Sequence, residues 1–155
     1  MAEHKSLHSI SHDHFHSMLV TQIIRKDSSA ANDFIKNIDD KVNYTIHFYD
    51  QELVNHFYLE EQILLPLLKG ISKEIDEMSN RLVDEHIFVT ELVDELKFKI
   101  DLENKLDRIS KVLEAHIQFE ERVFFPKIQE TLSEEELSAL AHKLHENGYE
   151  NIYKY

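Results

Sequence analysis

Apolar residues recur at alternating spacings of four and three along most of the chain, a pattern typical of helices that pack in a bundle. On one predicted helix, Leu102, Leu106, Ile109 and Leu113 share a face in this way. The pattern predicts long helices over about residues 11–26, 32–69, 72–100 and 101–129, and a short one over about 133–145. Short connections favour antiparallel neighbours. We therefore predict an all-α fold, an antiparallel up-down-up-down four-helix bundle with a short extra C-terminal helix, forming a single domain over residues 1–155 with its core at about 10–145.

Polar residues, glycine and proline mark the ends of these helices. The predicted N-caps are Asn32, Ser72, Asp101 and Ser133, the last in a capping box with Glu136. Gly70 is suited to follow the end of the second helix, because glycine adopts the left-handed backbone conformation found there. Pro66 and Pro126 are predicted to be helix-end residues, and the aromatic tail over 148–155 is predicted to lie on the surface or to pack loosely.

The composition excludes several classes of protein. With 2 glycines and 2 prolines in 155 residues, the chain lacks the turn residues of an all-β fold and a glycine-rich phosphate loop. The absence of cysteine excludes disulfides, thiolate catalysis and iron–sulfur clusters. A net charge of −13 opposes binding to nucleic acid or anionic membranes. No segment resembles a signal peptide or membrane helix, so we predict a cytoplasmic protein.

The 11 histidines are unusual, and some belong to an internal repeat. The segment from His56 to Pro66 matches the segment from His116 to Pro126, with His, two adjacent Glu and Pro at identical positions and an offset of 60 residues. A weaker match relates Asp13-His14-Phe15 to Glu85-His86-Ile87. The first two helices therefore correspond to the third and fourth, which predicts a pseudo-two-fold axis through the bundle.

Histidine and glutamate occupy predicted core positions of this repeat. His56 and Glu60 continue the apolar face of the second helix, and His116 and Glu120 that of the fourth. Buried carboxylates are costly and repel each other unless cations compensate them, and no Lys or Arg lies on these faces. A pair of divalent metal ions resolves the conflict. Imidazole and carboxylate ligands suit iron, manganese, zinc, nickel or copper; iron is preferred here, with zinc and manganese left open.

The first helix offers three candidate ligands: His12, His14 and His16. The apolar residues Phe15, Leu19 and Ile23 favour the register that includes His12, whereas Ile10 and the repeat favour His14. Other polar residues are predicted to lie outside the site. These are the surface histidines His4, His8, His47, His142 and His145. Glu61 and Glu121 follow Glu60 and Glu120 by one residue and turn away from the predicted centre, so they are predicted either to be solvated or to support the ligands from outside.

On these motifs the chain resembles the hemerythrin-like (HHE cation-binding) domain family over about residues 10–145. The resemblance implies a non-heme di-iron centre, bridged by oxo, hydroxo or water, with six protein ligands: His14, His56, Glu60, His86, His116 and Glu120. In the implied arrangement Glu60 and Glu120 bridge the irons, His56 and His86 bind one iron, and His14 and His116 bind the other. The family's Asp-His motif on the first helix selects His14.

One position departs from the oxygen-carrying members of that family, which have a further histidine where this chain has Thr90. Fewer protein ligands leave more open positions on the metals, as in the branch linked to nitric oxide, oxidative stress, iron-centre repair and iron sensing. The resemblance implies a protein that binds or senses O2, NO or peroxide, or handles iron under such stress, rather than a dedicated enzyme. A di-iron enzyme of peroxidase or oxidase type and a metal-controlled interaction module are the alternatives. The expected partner is a small diatomic or peroxide ligand; a protein partner is not indicated.

Overall fold

A computed structural model describes residues 4–26, 35 and 37–146. All regular structure within these ranges is helical. The helices are α1 (His8–Ile24), α2 (residues 38–68), α3 (Lys73–Glu95), α4 (residues 102–131) and α5 (Glu134–Leu144). Helix α1 packs against α2 and α4, α3 packs against α2 and α4, and α5 covers α2 and the short 3-10 turn Lys5–Leu7. The prediction of a helical bundle is confirmed, and its up-down-up-down order stays a prediction.

Most of the predicted helix ends are observed. Gly70 has φ +84°, Ser72 accepts a hydrogen bond from the N–H of Ile75, and Ser133 and Glu136 form the predicted capping box. The end of α3 differs from the prediction. Helix α3 stops at Glu95 and continues only as the 3-10 turn Leu96–Phe98, so Ile100 is 65 % exposed rather than part of the apolar face.

Two N-caps also differ. Asp101 precedes α4 in a left-handed conformation, φ 52°, and its side chain accepts a hydrogen bond from the side chain of Asn104 instead of capping the backbone. Helix α2 begins at Ile38, where the side chain of Asn37 accepts a hydrogen bond from the N–H of Asp39. The predicted cap Asn32 and the tail over 148–155 lie outside the described residues.

The apolar core consists of two clusters separated by a polar layer. One cluster joins the start of α1 to α5 and includes Ile10, Leu64 and Phe124. The other fills the opposite end of the bundle and includes Val20 and Leu113. The buried histidines and glutamates lie between them on every long helix, so apolar side chains close the polar layer from both ends. Among helices in the described ranges, none has the length and apolar character needed to cross a membrane.

Helices α2 and α4 contain wide π turns at equivalent places. Residues Glu60–Leu64 and Glu120–Phe124 form five-residue π segments, each closed by a hydrogen bond from the N–H five residues on to the carbonyl of the glutamate. Pro66 and Pro126 follow directly, and they lack the N–H that would continue the α-helical pattern. Helix α2 ends two residues after Pro66 and α4 ends five residues after Pro126, so each proline lies in the last two turns of its helix, near the predicted helix end.

The π turns shift the buried face by one residue. The alternation of four and three places Leu67 and Val123 in the core, but they are 41 % and 43 % exposed. Leu64 and Phe124 are fully buried instead, because a π turn holds one more residue than an α turn. These shifts begin at Glu60 and Glu120 themselves. In α4 the predicted register therefore holds up to Glu120 and fails after it. In α2 a further π segment, Tyr49–Leu53, precedes Glu60, and the residues buried before it are Thr45 and Phe48.

Candidate metal centre

Six ionisable side chains from the four long helices meet in the polar layer. They are His14 from α1, His56 and Glu60 from α2, His86 from α3, and His116 and Glu120 from α4. None of them is more than 4 % exposed. These are the six residues singled out from the sequence; the structure buries them in one cluster, and their role as ligands stays a prediction.

The glutamates connect histidines from different helices. An oxygen of Glu60 lies 3.2 Å from Nε2 of His56 and 3.3 Å from Nε2 of His86. An oxygen of Glu120 lies 2.9 Å from Nε2 of His116 and 3.4 Å from Nε2 of His14. All four Nε2 atoms therefore face carboxylates in the centre of the layer.

The potential ligand atoms form two groups, each within 4.8 Å: His14, His56 and Glu120 in the first group, and Glu60, His86 and His116 in the second. The imidazole rings pair accordingly, with centroids 5.1 Å apart for His14 and His56 and 4.9 Å apart for His86 and His116. This pairing differs from the one implied by the resemblance, which placed His56 with His86. Each glutamate contacts one histidine of each group, a geometry that suits a carboxylate bridge between two cations.

The centre lacks the hydrogen bonds that buried polar atoms require. The four Nε2 atoms and the four carboxylate oxygens of Glu60 and Glu120 have no hydrogen-bond partner of acceptable geometry. No Lys or Arg is among the buried residues of the described chain. Because unpaired buried charge is strongly destabilising, this donor set requires cations, either metal ions or protons. Neutral imidazoles with two carboxylates fit divalent transition metals.

The pKa values show how strongly the layer attracts positive charge when only protons are available. Burial lowers the pKa of His14 and of His116, but the nearby carboxylates outweigh burial and raise the pKa to about 9 for His14 and about 10 for His116. Burial raises the pKa of Glu60, and the charge on His56 outweighs it and holds that pKa well below its usual range. Protons therefore compete with metal ions for the same atoms.

This predicts a distinct pH dependence for the metal-free protein. A histidine whose pKa is raised on folding stabilises the fold fully below its unfolded pKa of about 6.5, and that stability disappears as the pH rises through the folded value. Since those values are about 9 and 10 for His14 and His116, the free energy of unfolding of the metal-free protein should fall between pH 7 and 10. Urea denaturation of chelated protein across this range tests the prediction, and a constant midpoint would contradict it.

Carboxylates also contact the outer nitrogens of the first group. Nδ1 of His14 lies 2.6 Å from Glu121, whose same oxygen accepts a hydrogen bond of 2.5 Å from the hydroxyl of Ser11. Nδ1 of His56 lies 3.1 Å from Asp13. A carboxylate at Nδ1 holds the proton there, so that the lone pair of Nε2 faces the centre, as is common for histidines that bind metals.

The second group has the equivalent carboxylates at longer distances. Nδ1 of His86 lies 3.4 Å from Glu61, and Nδ1 of His116 lies 3.6 Å from Glu85, outside good hydrogen-bond geometry. Burial raises the pKa of Glu85, but contacts with His116 and Arg81 outweigh it and lower that pKa. Two equivalent positions are thus acidic in each half of the repeat: Asp13 corresponds to Glu85, and Glu121 to Glu61.

The outer carboxylates decide between the two alternatives for Glu61 and Glu121. Each contacts the outer ring nitrogen of a histidine on a neighbouring helix, which agrees with the alternative that they support the ligands from outside. Asp13 and Glu85 were used only to align the repeat, and they also contact ring nitrogens. The signal for all four was their recurrence: the second Glu of each His-x-x-x-Glu-Glu unit and the acid before His14 and before His86.

Of the three histidines considered on α1, only His14 lies in the cluster. His12 is exposed, and Nδ1 of His16 lies 2.8 Å from Glu52 at the surface. The apolar residues that favoured His12 are misleading, because Phe15 is 79 % exposed.

A set of three alanine variants tests this placement. His14→Ala removes a buried Nε2 and should lower the metal content, whereas His12→Ala and His16→Ala should retain the wild-type content. Metal analysis of the purified, reloaded variants is the measurement. Loss of metal from His12→Ala with retention in His14→Ala would contradict the observed register.

The remaining histidines lie mostly where they were predicted. Those at the surface are His8, His47, His142 and His145. His4 differs, because its ring is half-buried and bonded to Ser6 and Glu134, which ties the N-terminal turn to the start of α5.

Comparison with protein families agrees with this geometry. The family model described as hemerythrin HHE cation binding domain matches residues 3–128. The chain belongs to the hemerythrin HHE cation-binding family. Neither a curated protein nor a solved structure matches it. All six residues of the cluster lie within the matched range. The buried His and Glu groups of this hemerythrin domain therefore belong to the segment that matches the cation-binding family.

Proposed function

We propose that this hemerythrin domain binds two iron ions in the buried cluster and uses them to bind or sense O2, NO or peroxide, or to handle iron under such stress. The observation that supports the proposal best is the set of eight buried nitrogen and oxygen atoms that converge without hydrogen-bond partners. A pair of metal ions would satisfy all eight atoms at once.

Each residue has a definite role in this proposal. His14 and His56 would hold one metal ion, His86 and His116 would hold the other, and Glu60 and Glu120 would serve both. Iron bound there would supply reversible ligand binding and redox chemistry toward small oxygen and nitrogen species. This assignment rests on the two groups of ligand atoms and on the contact that each glutamate makes with both groups.

The surrounding residues set the conditions for that chemistry. The two apolar clusters exclude water from both ends of the layer, which strengthens electrostatic interactions inside it. The outer carboxylates orient the imidazoles and make them more basic. Thr90, one turn after His86, is exposed, and its hydroxyl contacts the hydroxyl of Tyr49 at 2.8 Å, so it supplies no further ligand to the cluster.

A second candidate function is an enzyme that turns over peroxide. It is favoured by the same observation at Thr90, because four histidines and two carboxylates leave open positions at which peroxide can bind. The two candidates differ in turnover: a sensor or carrier binds its ligand in a fixed stoichiometry, whereas an enzyme consumes peroxide catalytically.

Anaerobic iron loading followed by metal analysis tests the proposal. We expect two iron ions per chain and an optical spectrum that changes when azide or NO is added. Iron, manganese and zinc offered together identify the preferred metal, and sustained consumption of peroxide would select the enzyme over the sensor. Zero or one metal ion per chain after loading would contradict the dinuclear site.

A further inference from the structure

A surface cavity reaches one histidine of the buried cluster. Between α2 and α3, a cavity of about 330 Å³ extends from the surface to His86. Its inner end is formed by His86 and Phe57, whose rings stack with centroids 3.9 Å apart and an interplanar angle of 14°. We call this cavity the α2–α3 groove; its walls include Val54, Tyr58 and Ile87.

In the opposite half, the surface cavity over α1 stops short of the histidines of the cluster. The surface cavity over α1 is lined by His8, Ser11, His12 and Phe15, and His14 is not in its lining. The hydrogen bonds from Ser11 and His14 to Glu121 close this side. The residue equivalent to Ser11 in the repeat is Val83, which offers Glu61 no such bond.

Thr90 contributes to the opening at His86. It lies on the same face of α3, one turn further on, and lines the groove together with Tyr49. The hydrogen bond between their hydroxyls holds both side chains at the surface. A small side chain at this position leaves room beside His86 that a larger one would fill.

The chemistry of the groove favours an uncharged ligand. Its walls are mostly aliphatic and aromatic, and its lining also includes the carboxylates of Glu61 and Glu91. Together with the net charge of −13, these carboxylates repel anions, whereas a neutral diatomic molecule pays no such electrostatic cost. The exposed walls Tyr58 and Ile87, 56 % and 51 % exposed, make the outer end of the groove apolar.

We propose that the α2–α3 groove is the route by which a neutral diatomic ligand reaches the His86 and His116 half of the centre, with the stacked ring of Phe57 as its inner wall. The proposal rests on the proposed function, since it concerns access to the same centre. It assigns different roles to the two halves: the half with His14 and His56 is closed and tightly hydrogen-bonded, and the half with His86 and His116 exchanges ligand.

The first experiment does not depend on iron chemistry. In the full-length chain loaded with diamagnetic zinc, dissolved O2 serves as a neutral paramagnetic probe, and ring-proton relaxation is measured by NMR. The ring protons of His86 and Phe57 should relax several-fold faster than those of the equally buried His14. Ile87→Trp, which fills the groove, should remove this difference. The matched control is Phe15→Trp, because Phe15 is the residue equivalent to Ile87 in the repeat and lines the other cavity.

The second experiment measures association of NO with the iron-loaded chain by stopped flow. In Ile87→Trp the ligand can pass only when side chains of the filled groove move, so association should be about tenfold slower. In Phe15→Trp the association rate should stay unchanged. The iron content should be unchanged in both variants. Equal relaxation of His14 and His86, or a rate that responds to Phe15→Trp and not to Ile87→Trp, would overturn the groove as the route. If the wild-type protein took up no iron but the zinc-loaded chain kept the difference in relaxation, the proposed function would fail and the groove would stand as a route for neutral molecules.

Discussion

Replacing either central glutamate by glutamine should reduce the metal content from two ions per chain to one or none. Glu60→Gln and Glu120→Gln keep the shape of the side chain but remove the negative charge and one ligand oxygen. Glu60 contacts His56 and His86, which belong to different groups, so its loss affects both metal positions. Metal analysis after anaerobic loading gives the stoichiometry, and circular dichroism checks that the variants are folded.

The matched controls are the adjacent glutamates. Glu61→Gln and Glu121→Gln alter carboxylates that contact Nδ1 of His86 and His14, not the centre itself. They should retain two metal ions, with affinity weakened about 10–100-fold because the imidazoles lose the group that orients them. The effect should be larger for Glu121, whose contact is 2.6 Å, than for Glu61 at 3.4 Å. Retention of both ions in Glu60→Gln with their loss in Glu61→Gln would reverse the assignment of inner and outer carboxylates.

The inner residues of the cluster could be predicted from the sequence because their positions conflict with their chemistry. The helical pattern requires an apolar residue at positions 56 and 60, but the chain has His56 and Glu60 there. An ionisable residue at a core position indicates both that it is buried and that it has a chemical role. The repeat adds independent weight, since the same conflict recurs 60 residues later at His116 and Glu120. The structure buries all of them, as the apolar pattern up to these positions predicted.

Features that depend on three-dimensional contacts were not predictable in this way. The π turns after Glu60 and Glu120 move the buried face by one residue, and a regular helical period contains no sign of this. The contact between Asp13 and His56 joins residues 43 positions apart, and the one between His14 and Glu121 joins residues 107 apart. Likewise, the pairing of His14 with His56 depends on which rings face each other across the bundle, which periodicity leaves open.

Removing the metal should lower the thermal stability of the protein markedly. Metal that binds only the folded state adds about 2.7 kcal/mol per site when its free concentration is 100 times Kd. For a domain of this size, each kcal/mol corresponds to roughly 2–4 °C in the melting temperature, so a chelator should lower it by on the order of 10 °C at pH 7. Glu60→Gln is the control, because a variant that holds less metal should respond less to chelation. Calorimetry with and without chelator is the measurement.

Acid should have the same effect as the chelator on the metal-loaded protein. Histidines bind metal only when neutral, so protons displace the metal as the pH falls below the ordinary histidine pKa of about 6.5. The stability that the metal provides is therefore present at neutral pH and lost in acid. The metal-free protein should show the opposite dependence and lose stability in alkali, because the pKa values of His14 and His116 are raised to about 9 and about 10. The melting temperatures of the two forms should converge toward pH 5 and differ increasingly as the pH rises from 7 toward 10. If a chelator left the melting temperature unchanged at pH 7, neither the dinuclear site nor its link to folding would hold.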